Sequence, residues 1–473
     1  SSNESRIKPH NTWSSMLTSA ITIGFGGSAG AEAPIVYTGA AIGSNIGTAF
    51  KLSHREVTIL VGCGAAGAIA GVFKAPLAGV LFTLEILLFN VSMTSMTPLL
   101  ISTLSSTIIS YIFLGRTAPF ACELGSFAMR NLPYYLLLGV VCAFVGLYFT
   151  RTTLWLEDFL SRLKNVYLKW LICASLLGVL ILLFPPLYGE GYDVLRSLLN
   201  GTDPDFAGGS PLEPLLNSQW SILLFFLAVM LIKLFSMTLT NSGGGVGGTF
   251  GPTLFIGGIL GFLVAKTLNL SAGLSLPVQN FALVGMAGLM ASVMQAPMTA
   301  IILVAELSGC YSLLLPLAIC ATISFYVNRI WEKYSIYTKR IAQNGELLTH
   351  DDDQAVLTLL KTKNLVSDKY PKVHPEDTLQ KLVSEVAVST AAVVAVIDAG
   401  GHFKGYVNVE DARVYLFNSQ QYKGYLVKDI MTQPKAFVYE DERMELVMEK
   451  FNATKAWRLP VITEDNVYLG FIS

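Results

Sequence analysis

The sequence predicts an α-helical polytopic membrane protein with an inverted-topology internal repeat, followed by a small α/β module. Three observations predict it: an uneven spread of charge, a succession of apolar segments, and glycine- and proline-rich stretches repeated at near-constant spacing. Of 473 residues, 52% are hydrophobic and 14% charged, whereas a soluble domain carries about 25% charged residues. Residues 1–331 hold 28 of the 65 Asp, Glu, Lys and Arg residues and residues 332–473 hold 37, or 8% against 26%. The first part is built for lipid and the second for water. A net charge of −1 gives no electrostatic basis for nucleic-acid binding.

A helix crossing a bilayer needs about 20 mostly apolar residues. Residues 99–114, 134–150, 171–185, 222–237 and 313–327 supply simple spans. Residues 21–47, 60–89, 243–265 and 281–307 are apolar but glycine-rich. Glycine at that density suits close backbone approach, or helices that break inside the membrane. Residues 188–217 read as an acidic loop. Arg329, Lys333, Lys339 and Arg340 follow the last apolar segment, and positive flanks favour the cytoplasmic side. The expected domains are a transport domain at 1–343, a polar linker at 344–365 and a paired module at 366–473, with units at about 366–420 and 424–473. The polar start, Ser1 to Asn11, has no signal-peptide pattern and no initiating Met, so the chain is expected to begin partway into a larger protein. The six cysteines (Cys63, Cys122, Cys142, Cys173, Cys310 and Cys320) lie in the apolar part without metal-ligand spacing and read as small buried hydrophobes.

The repeat lies in two pairs of motifs. Gly26-Gly27 through Pro34 to Gly43 aligns with Gly244-Gly245 through Pro252 to Gly261 at an offset of 218. Gly64, Gly67 and Ala75-Pro76 through Glu85 align with Gly285, Gly288 and Ala296-Pro297 through Glu306 at an offset of 221. Interrupted hydrophobic segments in matching halves point to a transport site between them. The module repeats at an offset of 65: Val373–Leu379 on Val438–Met444, and Gly405 on Gly470. Each unit reads as strand, amphipathic helix, then two strands around a turn.

The chemistry starts at Gly30-Ala31-Glu32-Ala33-Pro34. Proline is accepted in a first helical turn, so a helix is expected from Glu32 through Ala41. Its first amides lack partners and its dipole is positive there, which attracts an anion. Thr249-Phe250-Gly251-Pro252 forms the matching start. With inverted topology both starts can face one point near the midplane and hold a small anion with little help from Lys or Arg. Glu32 is an ionisable group at membrane depth, hence a functional candidate by default. As a carboxylate it can occupy the substrate's site; protonated, it has no reason to stay. It can also simply cap its helix.

The order Gly-x-Glu-x-Pro at 30–34, Ala75-Pro76 to Glu85, Gly248-Thr-Phe-Gly-Pro252 and Ala296-Pro297 to Glu306 resembles the CLC family of chloride channels and chloride/proton exchangers. The C-terminal pair resembles tandem CBS domains. The resemblance implies a homodimer with one pore per subunit and Glu32 as gate or proton carrier. It implies chloride at the amides of Thr249 and Phe250 and at the hydroxyl of Tyr337, with Gly30 and Ala31 beside them. The chain is further expected to need no cofactor, to have no enzymatic activity, to lie in the plasma membrane and, by the positive flank, to carry its CBS module on the cytoplasmic side. The family's first anion motif, Gly-Ser-Gly-Ile-Pro-like, has no match here, so chloride-versus-nitrate preference is open. Position 86, where many exchangers carry a second glutamate for internal protons, is Ile86; this favours a channel over a proton-coupled antiporter. Glu85 and Glu306 read as helix-end caps. Lys74 suits either an anion-attracting role or a wet helix end. Asn408 and Asp411 stand where CBS units contact a ribose, so an adenine nucleotide is a candidate ligand there, with Asn408 departing from the usual Ser or Thr. A CBS-regulated divalent-cation transporter would need convergent carboxylates, and only Glu32, Glu85 and Glu306 lie deep in apolar segments. A membrane enzyme would need a nucleophile–base or metal constellation, and no histidine lies in an apolar segment.

Overall fold

The computed structural model describes residues 5–87, 93–120, 125, 127–201, 208–343, 362–389, 391–410 and 424–473. The described chain divides into two compact units, Ser1–Arg340 and Ile341–Ser473. Most of the expected linker, residues 344–361, lies outside the described residues, as does 411–420 of the first module unit.

The first unit is helical: α1 Ser14–Gly24, α2 Glu32–Ala49, α3 His54–Phe73, α4 Pro76–Glu85, α5 Met93–Leu114, α6 Leu132–Ser161 and α7 Val166–Leu183. There follow α8 Tyr192–Asn200, α9 Gln219–Ser242, α10 Phe250–Ala272, α11 Val278–Met294, α12 Pro297–Ser308, α13 Leu314–Arg329 and α14 Thr338–Gln343. Among the described residues, seven helices are long and apolar enough to cross a membrane, and α4, α11 and α12 are shorter apolar helices. Two readings are corrected. Helix α2 runs on to Ala49 rather than stopping at Ala41, because Ile42 to Thr48 offers no breaker stronger than glycine. The segment 188–217 is not all loop: it contains α8, whose Leu195, Leu198 and Leu199 share one buried face.

The duplication is visible in the backbone. Gly26 and Gly244 adopt φ of +99° and +102°, a conformation that glycine reaches without strain. Lys74 and Gln295, both just before Ala-Pro, end their helices at φ +55° and +53°. Helix pairs α2/α3 and α10/α11 pack through glycine: Gly39 lies against the Gly64 carbonyl, and a Cβ at Gly257 would come 2.6 Å from the Gly285 carbonyl oxygen. Helix α11 is buried all round from Asn280 to Met294, which fits its apolar composition on every face.

The two short helices cap each other. Glu85, closing α4, accepts from the Met298 and Thr299 amides at 3.1 and 2.7 Å. Glu306, near the end of α12, accepts from the Leu77 and Ala78 amides at 3.2 and 2.9 Å. Each carboxylate thus meets orphan donors and the positive end of the other repeat's helix, as the helix-end reading expects. Lys74 donates to the Leu114 and Thr117 carbonyls at 3.2 and 2.9 Å, which ties it to a helix end.

The second unit holds two three-stranded sheets. Strands β1 Lys372–Val373, β2 Val393–Ile397 and β3 Phe403–Asn408 form one; β4 Val438–Tyr439, β5 Leu459–Ile462 and β6 Tyr468–Ile472 form the other. In each the first pair is parallel and the second antiparallel, with helices Leu379–Val388 and Met444–Thr454 as the crossovers. The units exchange edges reciprocally: Ser367 pairs with Phe471, and Tyr406 with Thr432, so the 65-residue repeat is a local two-fold.

Valine at Gly257 must push α10 from α11. We expect Gly257→Val to lower stability by about 3 kcal/mol, read as a fall in the thermal unfolding midpoint in detergent; an unchanged midpoint contradicts the close approach.

Candidate functional site

The site forms where the starts of α2 and α10 meet. Helices α1 and α9 each end in a glycine turn, with Gly27 N donating to Thr22 O at 2.8 Å and Gly245 N to Thr240 O at 2.9 Å. Each loop then reaches into the other repeat. Ser28 N donates to Thr240 Oγ1 at 3.0 Å, and Val246 N to Thr22 Oγ1 at 3.1 Å. Gly30 N donates to Gly248 O at 3.0 Å and Gly248 N to Gly30 O at 2.7 Å, an antiparallel bridge. These four bonds are related in pairs by the 218-residue offset. They turn two separate helix breaks into one short ribbon from which α2 and α10 depart.

The start of α10 offers the donors. Thr249 is its N-cap residue and Phe250 its first helical residue; by helix geometry the amides of Thr249, Phe250 and Gly251 have no intrahelical acceptor. The Phe250 ring is buried against Phe73 and Phe82, with centroids at 5.4 and 6.1 Å, which fixes the first turn. Thr249 Oγ1 donates to Tyr337 Oη at 2.9 Å. Tyr337 is carried between α13 and α14 by a strut: Ile336 N donates to Val293 O at 3.2 Å, and Ser335 and Thr338 cap each other. Backbone amides and a phenol are the donors suited to an anion that keeps little water, and none brings a full charge.

Glu32 opens α2 and is buried, with 2% of its surface exposed. Its Oε1 accepts the Tyr192 hydroxyl. Its Oε2 is buried and has no hydrogen-bond partner among the described residues. The carboxylate lies over the first turn of α10, with Oε1 3.2 Å from the Cβ position of Gly251. The carboxylate of one repeat thus lies at the helix start of the other.

The neighbouring amides are engaged. Gly30 N is used in the bridge to Gly248, and Ala31 N donates to Glu190 Oε1 at 2.9 Å. Both were expected beside the anion. An N–H committed to a carbonyl or a carboxylate is not free for a second acceptor, so the donors concentrate on the α10 side. Ile86 caps the end of α4 within the apolar core. In the second unit Asn408 ends β3 opposite Val393, and Asp411 lies outside the described residues. Among the described residues no group of three His, Cys, Asp or Glu is placed to hold a metal.

Sequence reasoning missed Glu190, Tyr192 and Lys233. Lys233 is fully buried in α9; its Nζ donates to Gly189 O at 2.8 Å and Leu187 O at 3.4 Å and lies 4.9 Å from the Phe255 ring centroid. The Gly189 carbonyl that it holds directly precedes Glu190. The signal was present: Lys233 is the lone charge in an apolar span, a candidate by the same rule that singled out Glu32.

The voltage gated chloride channel model matches residues 1–329, and a CBS domain model matches 427–473. The chain belongs to the voltage gated chloride channel family. Membership makes it an integral membrane protein of an anion-transport family. A Ralstonia nicotianae protein named putative chloride channel protein ClcB-like is 28% identical over 345 residues, covering 70% of this chain and 74% of the relative. The Vibrio cholerae H(+)/Cl(-) exchange transporter ClcA is 28% identical over 348 residues, covering 70% and 69%. A solved structure of a slow cyanobacterial Cl-/H+ antiporter superposes with a TM-score of 0.59 at 27% identity, over 68% of this chain and 73% of that one.

Lys233→Met takes the donor from two buried carbonyls. It is expected to cost about 3 kcal/mol, seen as a lower unfolding midpoint; an unchanged midpoint contradicts the pinning.

Proposed function

We propose that the chain moves chloride across a membrane, with the anion held by the amides of Thr249 and Phe250 and the hydroxyl of Tyr337, and with Glu32 as its gate. One observation carries this reading: the Glu32 carboxylate rests at the start of α10, where an anion attracted by those donors would sit. A tethered anion in the substrate's position blocks it, and protonation removes the charge that holds it there. The amides and the phenol at the start of α10 suit an anion, whereas a divalent cation needs several oxygen ligands around it.

A channel is slightly favoured over an exchanger. Ile86 cannot titrate, so an inner proton route through that position is closed. The second reading, chloride/proton antiport, draws on the names of the Vibrio relative and the cyanobacterial structure; it would need water or another residue on the inner side. The protein works as a homodimer with a pore in each subunit, set in the plasma membrane. The domains at 1–343, 344–365 and 366–473 carry over, with the CBS module cytoplasmic by the positive flank after α13. An adenine nucleotide near Asn408 is a candidate ligand of that module, which otherwise serves dimerisation.

Chloride efflux from liposomes tests the gate. Wild-type flux is expected to rise as pH falls from 7.5 to 4.5, and Glu32→Gln is expected to give high flux with a flat pH profile. A Glu32→Gln protein with the wild-type profile removes Glu32 as gate. The same vesicles separate the two modes: uphill proton movement driven by a chloride gradient means exchange, and its absence means a channel.

A further inference from the structure

We propose that Tyr192 is the latch of the gate, a positioning residue whose hydroxyl holds the Glu32 carboxylate in its seated, ionised state. This rests on the reading of Glu32 as gate.

The frame that carries Tyr192 is fixed. Lys233 pins the Leu187 and Gly189 carbonyls from α9. Gly191 turns at φ +86°, and a Cβ there would come 2.5 Å from the Phe255 ring of α10. The Tyr192 ring meets Phe120 edge-on with centroids 5.3 Å apart. Its hydroxyl lies 3.2 Å from the Cβ position of Gly251 in the first turn of α10, so it is aimed at the place Glu32 occupies. Two residues before it, Glu190 takes the Ala31 amide. The segment 187–192 therefore grips the start of α2 twice, once by its backbone and once by its first side chain.

The Tyr192 bond can be made only while Glu32 is seated, since the hydroxyl is anchored and the glutamate side chain is the part with freedom to swing. A donor to a carboxylate favours the ionised form. The latch thus sets how much acid is needed for release. The other titratable or charged groups around Glu32 are Glu190 before α8, Lys233 on α9 and Tyr337 after α13, with the Asp193–Arg196 pair farther along α8. None of these is altered by removing the phenol oxygen.

The test is the pH profile of chloride efflux from liposomes for wild type, Tyr192→Phe, Glu32→Gln and the double variant. Without the donor, protonation is easier, so the Tyr192→Phe midpoint is expected to rise by about one pH unit, a tenfold lower proton concentration. In the Glu32→Gln background the same substitution is expected to leave the flat profile unchanged. A merely structural role would alter the amount of active protein and not the midpoint. An unmoved or lowered midpoint in Tyr192→Phe, with Glu32→Gln still flat, overturns the latch and leaves the gate standing. A wild-type profile in Glu32→Gln overturns the gate and the latch with it. If Tyr192→Phe does not fold, 3-fluorotyrosine at position 192, a stronger donor, is expected to lower the midpoint; an equal or higher midpoint overturns the latch.

Discussion

The rest of the transport unit depends on the paired hydrogen bonds between Gly30 and Gly248. Two helices that begin inside an apolar unit leave their first amides without intrahelical acceptors, and no water in lipid can satisfy them. The two loops answer by pairing with each other. Their backbones run antiparallel, and Thr22 and Thr240 close the same ribbon from each side. The helix starts are held together by bonds that use the loop amides and leave those of the α10 first turn without intrahelical acceptors. Glycine at 30 and 248 is required by closeness: a Cβ at Gly30 would run into the Glu32 carboxylate, and one at Gly248 would come 2.7 Å from Ala33 Cβ.

The same logic recurs at a second level. Helices α4 and α12 also begin inside the apolar unit, each with proline at its first position. Their orphan amides go to Glu85 and Glu306, each supplied by the other repeat. The carboxylates of these apolar segments are therefore placed differently: Glu85 and Glu306 are half-buried and Glu32 is buried. Glu85 and Glu306 have their donors supplied by backbone and serve packing. Glu32 has one oxygen on Tyr192 and one without a partner among the described residues.

Much of this was legible in the sequence because repetition fixes geometry. Two motif pairs at offsets of 218 and 221 revealed the duplication, and the left-handed turns at Gly26 and Gly244 follow from it. Proline two residues after Glu32 and Phe250 marked both helix starts. The length of α2 was underread, because glycines at 43 and 47 look like breakers until α3 is seen packing against them. Helix α8 was hidden by acidic residues around three buried leucines. Tyr192 and Glu190 belong to that same segment, so the neighbours of Glu32 were lost with it. A hydrogen bond across 160 residues has no local signature, and the engagement of Ala31 by Glu190 is a tertiary choice.

In the water-facing module, a 65-residue repeat specified paired α/β units, and the reciprocal edge exchange between them is the consequence that no single unit reveals. The central claim for the membrane unit is that its α10 amides and Tyr337 surround one halide. Diffraction from crystals of Glu32→Gln soaked in bromide, recorded at the bromine edge, tests it most directly. The account predicts an anomalous peak within hydrogen-bond distance of the Phe250 amide and the Tyr337 hydroxyl. A well-phased map with bromide elsewhere and none at that point would contradict it.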